Sequence, residues 1–228
     1  MIQFFALIKK KQGISKQEFH DHWRHPHGTM GKHIPSLREY VQAHQIHTSF
    51  LFEDQANFQG IALSKFDNQK DAANFGNDPY YVKYIKPDEP NFVDGEHLQW
   101  LNTQEEVIDG RQTEEEGSSY ADALWLNVDL PTSVVLLQFI YPDGNPDWAA
   151  ETDVGFGRDI GSLRHVRNYP SKEIHGDTPQ YIGVRQLWWP TLSEFETGIQ
   201  NNPEAFQQLL GQAGSSFTTL TVAERFLK

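Results

Sequence analysis

The 228-residue chain is 38% apolar and 13% aromatic, enough to fill a packed core, which excludes wholesale disorder and allows one large domain or two small ones. A formal net charge of -12 repels phosphate backbones and anionic lipid, so nucleic acid and membrane surfaces are poor partners. Cysteine is absent, which removes disulfides, thiolate metal ligands and cysteine nucleophiles.

The N-terminus runs apolar from Ile2 to Ile8 before Lys9-Lys10-Lys11. A secretion signal has the reverse order, and no apolar run approaches the roughly 20 residues of a membrane span, so a cytoplasmic location is expected. Residues 3–8 read as a strand ending at Gly13. Ser15 and Glu18 then have capping-box spacing and open a helix. Phe19, Trp23 and Met30 form one apolar stripe on it. Pro26 lacks an N–H and crowds the preceding turn, so a break is predicted near Arg24 and His25.

Strands follow at 40–47 and 60–66, short helices at 69–75 and 80–85, and a fourth strand at 97–101. This is the βαββαβ order of a ferredoxin-like unit. The pattern then recurs. A strand at 133–141 leads to a helical region around Trp148. Ile160-Gly161-Ser162-Leu163-Arg164 echoes Ile34-Pro35-Ser36-Leu37-Arg38. Gln180-Tyr181-Ile182 echoes Gln59-Gly60-Ile61, and Ile199-Gln200-Asn201-Asn202-Pro203 echoes Phe75-Gly76-Asn77-Asp78-Pro79. The offsets are 126, 121 and 124 residues, and three landmarks in order at nearly one spacing argue for internal duplication. A last strand spans 218–226.

The expected division is a first domain at 1–110, an acidic linker at 111–132 around Glu114-Glu115-Glu116, and a second domain at 133–228. A four-stranded sheet with helices on one face leaves the other bare, at about 25 cal/mol per Å² of wet apolar surface. The expected fold is therefore α+β: two tandem ferredoxin-like halves packed sheet to sheet as an intrachain dimeric α/β barrel.

The first half carries a resemblance. Its residues are Phe5-Ala6-Leu7-Ile8-Lys9 with Gly13-Ile14-Ser15, then Glu18-Phe19 leading to His22-Trp23-Arg24 and His27-Gly28. Tyr40-Val41-Gln42 with His44, Asp88-Glu89 with Asn91-Phe92-Val93-Asp94, and Glu105-Glu106-Val107 continue it. Together they resemble the EthD-like proteins of the dimeric α/β-barrel superfamily over most of residues 1–110. The resemblance implies the fold strongly and the reaction weakly, because that superfamily spans cofactor-free monooxygenases, lactone isomerases, dehydratases and haem proteins. The second half keeps the architecture without the Trp-Arg-x-x-His motif.

Seven of the ten histidines lie between His20 and His47. At about 100° per residue His25 falls far from the apolar stripe, His20 and His27 lie to one side and His22 to the other. With no His-Glu-x-x-His pattern and no completing carboxylate, no metal site is expected. Gly155 to Gly161 misses the dinucleotide fingerprint, and no phosphate loop or nucleophile elbow is present.

His27 is the candidate catalytic residue. It sits beside the stripe just after the Pro26 break, where a half-buried imidazole can act as a general base. From the residues alone His27 reads first as a buried histidine bonded to a backbone carbonyl, and the resemblance brings the catalytic reading level with it. Tyr40, Gln42 and His44 share one strand face and, with Trp23 and Arg24, are the candidate substrate-binding set. Asp88-Glu89 with Asp94 reads as a solvated loop cluster.

The expected function is histidine-assisted proton transfer on a small hydrophobic, cyclic or aromatic compound. It needs no cofactor and no metal, and could be of oxidoreductase, isomerase or dehydratase type. The rival is a non-catalytic binder or accessory protein with the same pocket, and a third option is haem binding. A chain that closes its own barrel can be a monomer or pair as a homodimer.

Overall fold

A computed structural model describes residues 1–52, 55–109 and 132–227. Eight strands form one closed barrel: β1 (Ile2–Ile8), β2 (Glu39–Ile46), β3 (Gly60–Phe66), β4 (Gln99–Asp109), β5 (Thr132–Ile140), β6 (Arg164–Pro170), β7 (Gly183–Trp189) and β8 (Ser216–Leu227). The order around it is β1-β3-β2-β8-β5-β7-β6-β4, and every neighbouring pair is antiparallel. Within the first four strands the order is fourth, first, third, second; the last four repeat it.

The join differs from simple face-to-face stacking. The sheet edges pair, β2 with β8 and β4 with β6, so the unpaired N–H and C=O groups of four edge strands are all used. β4 also runs well past the expected 97–101, to Asp109, and it is this extension that pairs with β6. The acidic linker expected at 111–132 lies outside the described residues except where Thr132 opens β5.

Alternation along the strands divides the apolar residues. Phe5, Leu7, Val41, Leu63, Leu101, Val135, Leu137, Phe139, Val184 and Trp188 fill the barrel interior. The outer face of β5–β8 is covered by α6 (Leu192–Asn201) and α7 (Pro203–Gly211) through Phe195, Ile199, Phe206 and Leu209. Each such side chain contributes roughly 1.5–3 kcal/mol on burial.

The outer face of β1–β4 is covered by α1 (Lys16–His22) and the segments after it. Ser15 caps α1 and Glu18 reaches back to the Ser15 N–H, completing the capping box. The helix then widens into a π-type turn, Trp23–Gly28, where His25 has φ -149° and ψ 124° immediately before Pro26. This is the predicted break. A short helix, α2 (Thr29–Gly31), resumes beyond it. The remaining helices are α3 (Gln69–Ala73), α4 (Thr152–Asp159) and α5 (Lys172–His175).

One packing detail occurs twice. A Cβ at Gly60 would lie 2.2 Å from the Trp23 ring, and a Cβ at Gly183 would lie 2.2 Å from the Trp148 ring. In each half an indole packs closely against the glycine that opens the third strand.

Candidate active site

Between the outer face of β1–β4 and its covering segments lies a cavity of about 370 Å³. Its sheet side includes Phe4, Ala6, Tyr40, Ala62, Ser64, Trp100 and Asn102; its helical side includes Trp23, His27, Phe75, Tyr81, Ile85, Glu89 and Phe92. The space exists because two alanines, Ala6 and Ala62, are cross-strand partners on this face. At the same register position of the second half the partners are Gln138 and Arg185. There the guanidinium donates to Gln138 and to the carbonyls of Leu209 and Trp148, and it pairs with buried Asp153 at 3.3 Å. The first half leaves a hollow where the second half is filled.

The break at His25 and Pro26 carries His27 onto the cavity wall, where it is only 8% exposed. Its Nδ1 lies 3.0 Å from Asp88 Oδ2, and the other carboxylate oxygen of Asp88 lies 2.9 Å from His22 Nε2. Asn91 Nδ2 donates to the same carboxylate at 3.1 Å. The Phe92 ring stacks on His22 and meets His27 edge-on, fixing both imidazole planes. Burial works against the Asp88 charge, but hydrogen bonds from His27, His22 and Asn91 outweigh it and hold the carboxyl well below the usual carboxylate range. An ionised Asp88 takes its hydrogen bond from Nδ1–H, which leaves the His27 Nε2 lone pair with no protein partner among the described residues.

Glu89, the next residue, turns into the cavity wall and accepts a 2.7 Å hydrogen bond from the Tyr81 hydroxyl. Burial raises its pKa above the ordinary value and outweighs that hydrogen bond. The solvated loop expected at Asp88-Glu89 is thus corrected: both carboxyls are turned inward, one to orient His27 and one to line the hollow.

Of the residues singled out from sequence, Trp23, His27 and Tyr40 line the cavity together. Arg24, Gln42 and His44 are not among its lining residues. Arg24 leaves on the far side of the turn and grips the Glu224 carboxylate on β8, Nε to both oxygens at 2.9 Å. Gln42 is fully buried beneath the wall, its Nε2 donating to the Trp23 carbonyl at 2.7 Å and the Tyr40 hydroxyl at 2.8 Å. His44 packs behind Trp23 with its Nδ1 2.7 Å from His20 Nδ1, and burial first, then the charge of Arg24, pulls its pKa down to about 2. Sequence reasoning missed Asp88, Glu89 and Tyr81. Asp88 and Glu89 did appear in the motif, but nothing in their spacing ties them to a histidine 61 positions away.

Residues 11–96 match the family model of the EthD domain. The matched segment, 86 of the 228 residues, is EthD-like. It contains α1, the π-type turn and the Asp88–Glu89 pair, whereas β1, β4 and the second half lie outside the match. No curated protein matches the chain significantly in sequence. Solved structures match its fold. An anthrone oxidase-like protein superimposes with a TM-score of 0.63 at 8% identity, covering 100% of this chain and 94% of that one. A candidate monooxygenase from Fusobacterium nucleatum subsp. nucleatum gives 0.56 at 11% identity, covering 98% and 93%. Another from Lactobacillus acidophilus gives 0.50 at 9% identity, covering 99% and 93%. These likenesses are of fold alone and run over the whole chain, an α+β eight-stranded barrel.

Among the described residues no helix is long and apolar enough to cross a membrane. No group of three or more His, Asp or Glu side chains among them is placed to hold a metal ion.

Proposed function

We propose that the EthD-domain cavity binds a small, mainly apolar, cyclic or aromatic compound and that His27 moves a proton on it, in a reaction of oxidoreductase, isomerase or dehydratase type. One observation carries this reading: His27, held by Asp88, sits on the wall of a mainly apolar hollow, with Nδ1 occupied and Nε2 free of protein partners among the described residues. That is the geometry a general base needs, since the carboxylate fixes the tautomer and stabilises the imidazolium that forms. Trp23 and Tyr40 supply flat walls for a ring, and Gln42 holds both from behind.

The chain is further read as two ferredoxin-like halves, the first (1–110) with the site and the second (133–228) degenerate. The repeated strand order, the repeated indole–glycine contact and the filled position at Gln138–Arg185 support this. Since the barrel closes within one chain, a monomer suffices; light scattering measures whether chains also pair.

The test is turnover and binding against a panel of anthrones, lactones and phenols, for the native protein and His27→Gln. The expected result is loss of turnover by about 100-fold or more in His27→Gln with the melting temperature little changed. Normal turnover in the variant sinks the reading. Binding without turnover by the native protein favours the accessory role instead.

A further inference from the structure

The proton-moving reading above assigns His27 and the residue that orients it, and leaves unused a second titratable group on the same wall. Glu89 follows Asp88 in a single 3-10 turn, Glu89–Asn91, which aims the two consecutive carboxyls at different tasks. Asp88 is consumed by two imidazoles and an amide. Glu89 receives only the Tyr81 hydroxyl, on Oε1. No hydrogen bond occupies its Oε2 among the described residues. Glu89 and Tyr81 line the same cavity as His27.

We propose that Glu89 is a second proton-transfer group of this site, a carboxyl that in its protonated form gives its proton to the carbonyl oxygen of the bound compound while His27 removes the proton from the adjacent carbon. This rests on the reading of His27 as a base and narrows the substrate class to carbonyl compounds with an acidic neighbouring C–H.

The step balances without an oxidant. The His27 Nε2 lone pair takes the proton, the C–H electron pair becomes the C=C bond of an enol, and the carbonyl π pair becomes the O–H bond to the Glu89 proton. Imidazolium and carboxylate are left, and the reverse transfers restore both. An acid next to the oxygen matters because enolate charge developing against a mainly apolar wall is costly unless a donor meets it. Tyr81 positions the carboxyl, and burial holds its own phenol above the ordinary range, so it stays a donor to Glu89.

The probe is 2-tetralone, a benzo-fused cyclic ketone in which one ring CH₂ sits between the carbonyl and the aromatic ring and is acidified by both. Deuterium uptake at that carbon in D₂O is followed by NMR with the full chain. Native protein should accelerate uptake. Glu89→Gln keeps size and an N–H donor but has no transferable proton; its kcat for exchange should fall about 100-fold with KM nearly unchanged. Tyr81→Phe should lose less, through misorientation of the carboxyl, and serves if Glu89→Gln fails to fold. His27→Gln should abolish uptake. If Glu89→Gln and Tyr81→Phe both exchange at the native rate while His27→Gln does not exchange, Glu89 is only wall and the proposal is overturned. If the native protein gives no acceleration, the reading of His27 fails and this proposal falls with it.

Discussion

At Asp88 one carboxylate is shared by two imidazoles, and that sharing decides which nitrogen of His27 faces the hollow. It also ties the site to stability. The folded-state pKa of Asp88 is depressed, so ionised Asp88 stabilises the fold at any pH above its unfolded value of about 3.9, and the contribution is lost as pH falls below that toward the folded pKa. Asp88→Asn should therefore melt below the native protein at pH 7 and pH 5, with the gap closing as pH drops below about 4. Thermal melts at three pH values check this, and a gap independent of pH would mean that Asp88 is not ionised in the folded chain. His27 was legible from the Trp-Arg-x-x-His spacing and from the Pro26 break. Its partner was not, because a contact across 61 residues leaves no periodic trace. Arg24 lies outside the hollow, as helical phase places it off the apolar stripe; what stayed illegible is its carboxylate partner, Glu224, 200 residues away.

At the scale of elements, the hollow depends on what is missing. Ala6 and Ala62 bear no chemistry, so nothing in the sequence marks them, yet their pairing makes the space that Gln138 and Arg185 fill opposite. Ala62→Leu should fill the cavity and weaken ligand binding at least tenfold while costing under about 1.5 kcal/mol, since the added atoms enter empty space. Calorimetric titration with the best ligand of the panel, beside a thermal melt, separates the two effects. Asp153→Asn should behave oppositely. It leaves the Arg185 guanidinium poorly compensated in the core and should cost about 3–5 kcal/mol without touching binding. The strand order was readable because turn residues and strand periodicity are local signals, but the echo of Gln59 at Gln180 was two residues out of register, since the glycines that open β3 and β7, Gly60 and Gly183, lie 123 positions apart. The length of β4 was not, since its distal half is polar, Gln104-Glu105-Glu106, and is held by pairing with β6.

For the whole molecule, the two seams are the feature the sequence could not show, because an edge strand and a paired strand can have the same pattern. β2–β8 and β4–β6 remove all four edges at once. A fragment of residues 1–109 should therefore expose two long edges and the apolar face that holds Phe5, Val41 and Leu63. It should self-associate or aggregate while the full chain stays dispersed, and size-exclusion chromatography with light scattering distinguishes these. A well-behaved monomeric fragment would show that closure is not needed to shield the first sheet.

Closure within one polypeptide has a genetic consequence. A barrel built from two copies of one subunit carries every codon change twice, so an arginine that plugs one hollow plugs the other. Here the two sides of the barrel are written at separate places in one gene. Position 185 can hold a guanidinium while position 62 keeps a methyl group, and the plugged side is free to gather rigidity while the open side keeps room for a guest.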